Sequence, residues 1–366
     1  MRCVLGFDTN PLSAGAAGPA ARPTLGTPSV KQQYRWMAAG LVLGALWLWL
    51  ALRDAAPGPI LAAAGRAEPV WVAATAAAGG VYMALKAWRW ALLLRPVAPV
   101  PALLVHRAVW AGGAANLVVA HSGELLRAGL VGRGSAASSG AALASIAVER
   151  VFDFAALAVL SALAIALDPR VSSRLIGIGA VGLAVVLTGL ALVWRLARRR
   201  GAVAGADMGA GAGAGNGEGP VARRRGLPDW LAAQSRGWRD GLLGLISPRT
   251  ALASLALSLL QWLAIAVAVA TSAAAVGLPV SPGAALAVFA LMVLGLTLPS
   301  APAQLGTTQL AFQIGLGLVG TAPEPALAAS LIYTGWVVLP QLLIGGALAL
   351  FGLRRPPAPP SPPAQA

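Results

Sequence analysis

Acidic residues are scarce in this chain. Of 366 residues only 12 are Asp or Glu, and charged residues of both signs make up 11%, where a soluble domain carries about 25%. Cysteine is represented by Cys3 alone, so no disulfide within the chain and no thiolate metal site can form. His106 and His121 are too few for a histidine-built zinc site. No glycine-rich Walker sequence is present to cradle a nucleotide phosphate. No cofactor and no metal are expected. Long polar stretches are short supply as well. The longest, 197–249, is mostly low-complexity linker.

Apolar sequence fills the space. Hydrophobic residues are 58% of the chain and mean hydropathy is +0.75. Several runs approach or exceed the roughly 20 residues needed to cross a bilayer. The fold class is therefore all-α: a polytopic transmembrane helix bundle. The net charge of +15 is carried almost wholly by arginine, clustered in loops beside apolar segments. The positive-inside rule produces that pattern without any nucleic acid, and no recognition motif is present.

Taken in order, residues 1–34 are rich in Gly, Pro, Ala, Ser and Thr and read as disordered. A first half, 35–196, holds spans at Trp36–Leu52, Val70–Leu94, Gly140–Leu167 and Leu175–Leu196. Lys86, Arg89 and Arg95, interleaved with Trp88 and Trp90, read as an interfacial anchor at the end of the second span. Between the second and third spans, the apolar piece Ala108–Ala120 is 13 residues long, too short to span. It predicts a re-entrant hairpin, with Ser122 capping its second helix. Residues 197–249 form a basic linker, and Asp229–Ile246 within it reads as an amphipathic surface helix. A second half, 250–353, holds spans at Ala251–Val276 and Leu327–Leu353, the latter with a kink expected at Pro340. Between them, Ala284–Leu298 and Leu305–Val319 flank a break at 299–306. They form either a second hairpin or a pair of thin spans, giving about six full spans plus two hairpins, or about eight spans. A proline-rich tail, 354–366, reads as disordered.

With the N-terminus inside, the arginine-rich segments 86–107, 195–239 and 354–355 all fall on one side. Both termini are then cytoplasmic. The unit span–hairpin–span occurs at 70–167 and 251–353, opening in opposite directions, a pattern found in inverted-repeat transporters.

The stretch from Trp110 to Leu157 carries Glu124, Arg127, Glu149, Arg150 and Asp153 in apolar surroundings. Charges there are costly and mark pathways or binding sites. Glu149, Arg150 and Asp153 share an arc of about 100° on a helix. Two readings stand. In one, Glu124–Arg150 and Arg127–Glu149 or Arg127–Asp153 are ion pairs that pin the hairpin to the third span. In the other, the groups line a cavity for a lipid headgroup, with Arg127 and Arg150 holding a phosphate.

These residues resemble a family. AANLVVAHSGELLRAGLVGR, with Asn116, Gly123, Glu124 and Arg127, resembles the N-x-x-x-P-x-x-x-GE-x-x-R stretch of the lysylphosphatidylglycerol synthase transmembrane region, also called the flippase-like family. ASIAVERVFDFAAL is similar to its ER-x-x-D signature at Glu149, Arg150 and Asp153. PSAPAQLGTTQLAF resembles its P-x-x-PG-x-x-G-T motif at Pro299, Pro302, Gly306, Thr307 and Thr308. The resemblance covers roughly 35–353. The chain departs from it by lacking the proline before Gly-Glu, by Ala303 where glycine is usual, and by Gln309 where an acid is common.

The resemblance implies a multi-pass protein of the bacterial cytoplasmic membrane that handles an amphiphile. The substrate-binding set it suggests is Glu124, Arg127, Glu149, Arg150, Asp153, Asn116, Pro302, Gly306, Thr307 and Gln309. The expected ligand is a membrane lipid (anionic phospholipid, glycolipid or hopanoid-like), and envelope-biosynthesis enzymes are the expected partners. The leading function is translocation of a lipid or isoprenoid-linked amphiphile. Alternatives are a membrane subunit presenting lipid to a separate glycosyl- or aminoacyl-transferase, or an intramembrane lipid-modifying enzyme. No soluble catalytic domain is legible, so an enzyme is not expected.

Overall fold

Proline starts many of the helices. It stands in the first turn of α1 (Pro57–Gly65), α2 (Pro69–Leu94), α6 (Pro248–Ala275) and α9 (Pro323–Tyr333). Its missing N–H costs nothing there, because first-turn donors have no partner within the helix. Between these lie α3 (Ala102–Val118), α4 (Ser122–Gly134), α5 (Ser139–Leu167), α7 (Pro282–Gly295) and α8 (Thr307–Gly317). The chain closes with α10 (Leu339–Leu353). The computed structural model describes residues 42, 45–53, 55–119, 122–171, 247–295 and 302–353. No strand occurs among them.

Among the described residues four helices are long and apolar enough to cross a membrane: α2, α5, α6 and the continuous run Pro323–Phe351. They match the expected second, third, fifth and last spans. Residues 45–52 of the expected first span are helical. The expected fourth span, the amphipathic helix at 229–246, the N-terminal segment and the proline-rich tail lie outside the described residues.

Antiparallel pairing of α2 with α6 builds the centre. The Glu68 amide donates to the Ala275 carbonyl at one end, and Thr75 and Thr271 share a hydroxyl hydrogen bond of 2.9 Å farther along. Tyr82, Trp262 and Phe289 stack in series with centroids 5.6 and 5.5 Å apart. Such tilted pairs stabilise beyond their buried area.

The two short pairs are hairpins inserted into this frame. In the first, α3 runs in and α4 runs back, so Gly134 returns to Leu104. Helix α3 spans 17 residues, longer than the apolar piece alone, because His106 and Arg107 join its first turns. The two helices meet backbone to backbone at Gly112 and Gly123, where a Cβ on Gly123 would collide with the Gly112 carbonyl oxygen and the Asn116 amide. Gly123→Ala should therefore destabilise the protein by about 1–3 kcal/mol, the usual cost of overpacking, read as a lower melting temperature in detergent. Ser122 does not cap α4. Its hydroxyl donates instead to the carbonyls of Ala115 and Val119, ending α3, while Asn116 Oδ1 accepts from the Gly123 amide at 2.7 Å.

The second hairpin, α7 and α8, packs through Gly315 on Val288 and Gly295 on Thr307. It enters from the opposite end of the bundle, because Gly283 sits on Asp168 and Ala164 at the far end of α5. Its returning arm opens at Ala303, Gln304 and Gly306, with φ of 60°, 56° and 89°. This left-handed run favours glycine, and Ala303 and Gln304 hold it at a cost of about 1 kcal/mol or more each. Before Pro340, the last span widens into a π turn at Thr334–Val338. The irregularity expected at the proline takes that form, since a π turn absorbs the hydrogen bond that proline cannot donate.

Asp168 ties the far end together. It accepts hydrogen bonds from the Arg170 backbone and guanidinium and from the Ser281 hydroxyl, and these hold its carboxyl down from 3.8 to about 2. A depressed carboxyl contributes stability above its unfolded value and loses it as pH falls through the folded one. Unfolding of Asp168→Asn in detergent should then show a flatter pH dependence than wild type between about pH 4 and pH 2.

Candidate functional site

Position along the helices sets the depth of the site. Glu149 lies ten residues into α5 and Ser258 ten residues into α6, each about 15 Å from the helix start at 1.5 Å per residue. Helix α5 begins cleanly because the Ser138 hydroxyl accepts from the Ala141 amide. At that depth α2, α4, α5 and α6 converge on a cluster of charges.

Glu149 is fully buried and each of its oxygens meets a different arginine. Arg89 Nη2 donates to Oε1 at 2.8 Å, and Arg127 Nη2 donates to Oε2 at 2.6 Å. Arg89 has no exposed surface. Its other nitrogen donates to Asp153 Oδ1 at 2.7 Å and to the Ser258 hydroxyl. Asp153 Oδ1 also accepts from Gln261 Nε2 at 3.0 Å and from the Trp262 indole at 2.9 Å. The Arg127 guanidinium lies 4.8 Å from the Trp90 ring centroid, and the Trp90 indole donates to Ser145 at 3.0 Å. Buried charges survive only with such partners, because desolvation otherwise exceeds the attraction.

One pair sits at the margin. Arg150 reaches Glu124, and its other nitrogen lies 3.6 Å from Asp153 Oδ2. The Arg150 side chain is 38% exposed and that of Glu124 15%, against 0% for Glu149. Asn116 holds Glu124 in place, donating to Oε1 at 3.4 Å. Glu124 Oε2 and Asp153 Oδ2 are buried and accept no hydrogen bond, so two acceptors stand unused beside the exposed arginine. Lys86 is half-buried one turn before Arg89, with its ammonium 3.2 Å from the Tyr82 hydroxyl.

All five charges from the Trp110–Leu157 stretch are thus brought together, and the pairs Glu124–Arg150 and Arg127–Glu149 form together. The reading of Arg89 as an interfacial anchor is overturned. Trp88 is 59% exposed, but Arg89 and Trp90 turn inward against α5 and α6. Arg127 Nη2 is taken by Glu149, while its Nη1 is buried without a hydrogen-bond partner among the described residues. Arg89, Ser258, Gln261 and Trp262 are members that sequence reasoning passed over. A signal existed for each group. Thr75, Tyr82 and Arg89 fall seven apart on one face of α2, and Ser254, Ser258 and Gln261 share one face of the stretch 251–270 of α6, which is otherwise apolar.

The remaining predicted residues lie at the second hairpin, apart from this cluster. Pro302 belongs to a single turn, Pro302–Gln304, that packs against α3. Gln309 Oε1 accepts from the Gly306 amide at 2.7 Å, and its Nε2 donates to Thr334 at 3.2 Å. Thr307 donates to the Gln304 carbonyl at 3.0 Å. The Gln309 and Thr307 side chains close the turn onto the start of α8, and the Gln309–Thr334 bond ties it to the last span. Among the described residues no group of His, Cys, Asp and Glu is arranged to hold a metal.

The family model described as Lysylphosphatidylglycerol synthase TM region matches residues 37–345, a range that includes every charged residue of the cluster. A comparison with curated proteins finds no match to the chain.

Proposed function

Because the chain belongs to the lysylphosphatidylglycerol synthase TM region family, we propose that it moves a lipid headgroup across the membrane past the Glu124–Arg150 margin of its buried charge cluster. Membership and the four long apolar helices make it a multi-pass membrane protein with a lipid-related role. The observation that carries the finer reading is the unequal exposure of one network. Glu149 and Arg89 are sealed, while Arg150 is open. A cluster needed only for packing has no reason to leave one guanidinium in contact with the outside at mid-span depth, where charge is expensive.

In this reading the headgroup travels between the two opposed hairpins while the acyl tails remain in lipid. The sealed core (Arg89, Arg127, Glu149, Asp153) fixes the geometry, and the margin meets the substrate. The chain acts as a carrier and not as an enzyme. It resides in the bacterial cytoplasmic membrane with the arginine-rich ends, and both termini, on the cytoplasmic side. Enzymes of envelope biosynthesis are its natural neighbours, supplying or consuming the lipid.

The test is translocation of an acyl-labelled phospholipid in proteoliposomes. Wild type should equilibrate the label between leaflets faster than protein-free vesicles, and Glu124→Gln should slow it by at least about tenfold, equivalent to 1.4 kcal/mol at the barrier. Wild-type rates equal to those of empty vesicles would remove the proposal.

A further inference from the structure

The cluster is not electrically neutral. Four cations, Lys86, Arg89, Arg127 and Arg150, face three carboxylates, Glu124, Glu149 and Asp153, which leaves one positive charge over. The ion pairs locate the excess. Arg89 bridges Glu149 and Asp153, Arg127 takes the other oxygen of Glu149, and Arg150 takes Glu124. Lys86 donates to a neutral phenol and lies 5.5 Å from the same Tyr82 ring, with no carboxylate of the described residues within ion-pair distance. Its position is eight residues before the end of α2, about 12 Å along the axis. An ammonium at that depth calls for a counter-charge. Lys86 and Arg150 both lie within electrostatic reach of Glu124, the acidic residue at the exposed margin of the cluster.

We propose that Lys86 and Arg150 together bind a phosphodiester monoanion, carried as the headgroup of an anionic lipid. One negative charge neutralises the site. Two free phosphoryl oxygens allow one contact to the ammonium, a compact point charge, and one to the guanidinium. A zwitterionic lipid brings the same phosphodiester with a cation attached, which the excess positive charge repels. A cationic lipid is disfavoured for the same reason. This assignment rests on the translocation reading for its place in the cycle, but its binding is measured separately.

The experiment is native mass spectrometry of the full-length protein in non-denaturing detergent, titrated with phosphatidylglycerol and phosphatidylcholine of identical acyl chains. Wild type should retain the anionic lipid about fivefold over the zwitterionic one, the factor that one charge contact of about 1 kcal/mol gives. Lys86→Met, which keeps the apolar stem, should bring the ratio close to one, and Lys86→Arg should restore it. Equal retention by wild type, or an unchanged ratio in Lys86→Met, overturns the assignment. Soluble glycerophosphoglycerol at the lipid's concentration should not displace the lipid; displacement would give the site to a free phosphodiester and overturn the lipid source. Melting temperatures of the variants check that each is folded. Selective binding without translocation would leave this assignment standing and sink the transport reading. Translocation without headgroup preference would do the reverse.

Discussion

Arg89→Ala should lower the unfolding free energy by about 3–5 kcal/mol, the largest stability loss expected of any single change here. Arg89 compensates two buried carboxylates at once, Glu149 at 2.8 Å and Asp153 at 2.7 Å. Removing it leaves Arg127 alone with Glu149 and leaves Asp153 Oδ1 with only the Gln261 and Trp262 donors. As a cation partner Asp153 then keeps only the distant Arg150 contact at 3.6 Å, and a buried carboxylate that loses its main cation costs more than the pair contributed. Helices α2, α5 and α6 meet at this point, so the loss should spread through the bundle. Arg89→Lys should recover only part of it. An ammonium is a single point charge and lacks the fork that reaches both carboxylates and Ser258. Denaturant titration of the protein in detergent, followed by circular dichroism, measures both variants. A change below about 1 kcal/mol for Arg89→Ala would mean the network is dispensable for folding.

Arg150→Ala should have the opposite profile. Its pair with Glu124 lies at the margin of the cluster, and its loss leaves Arg89 and Arg127 still paired with Glu149 and Asp153. The protein should therefore remain folded, with its melting temperature close to wild type. Lipid movement should fall by at least about tenfold, because the only guanidinium of the cluster with substantial exposure is gone. Arg127→Ala separates the two roles. Arg127 is buried between Glu149 and the Trp90 ring, so its loss should appear mainly in stability, as for Arg89.

Much of this arrangement is legible in the residues. The four described spans follow from length and hydropathy, and the first hairpin follows from an apolar segment too short to cross. The spacing of Glu149, Arg150 and Asp153 places them on one face, and the pairing of Arg150 with Glu124 and Arg127 with Glu149 follows once hairpin and span are adjacent. Arg89 is different. Lys86, Trp88, Trp90 and Arg95 surround it with the composition of a headgroup layer, and local composition outweighs its own fate. What decides its burial is the antiparallel docking of α2 on α6, which brings Ser258 to it from 169 residues away and Gln261 and Trp262 to its partner Asp153. No local pattern encodes that contact. The seven-residue spacing of Thr75, Tyr82 and Arg89 marks an inward face, but it does not say what waits there. Ser122 shows the same limit on a smaller scale. Its type suits a helix start, yet the close approach of Gly112 and Gly123 brings Asn116 to the Gly123 amide and frees the serine to end α3.

The central claim is that one margin of a sealed ion network handles a lipid headgroup. The most direct measurement is the initial rate of phosphatidylglycerol translocation in proteoliposomes holding equal amounts of folded wild type or Arg150→Ala. The account predicts a wild-type rate well above that of protein-free vesicles and a variant rate at least about tenfold lower, with matched melting temperatures. A folded Arg150→Ala protein that moves the lipid as fast as wild type would contradict it.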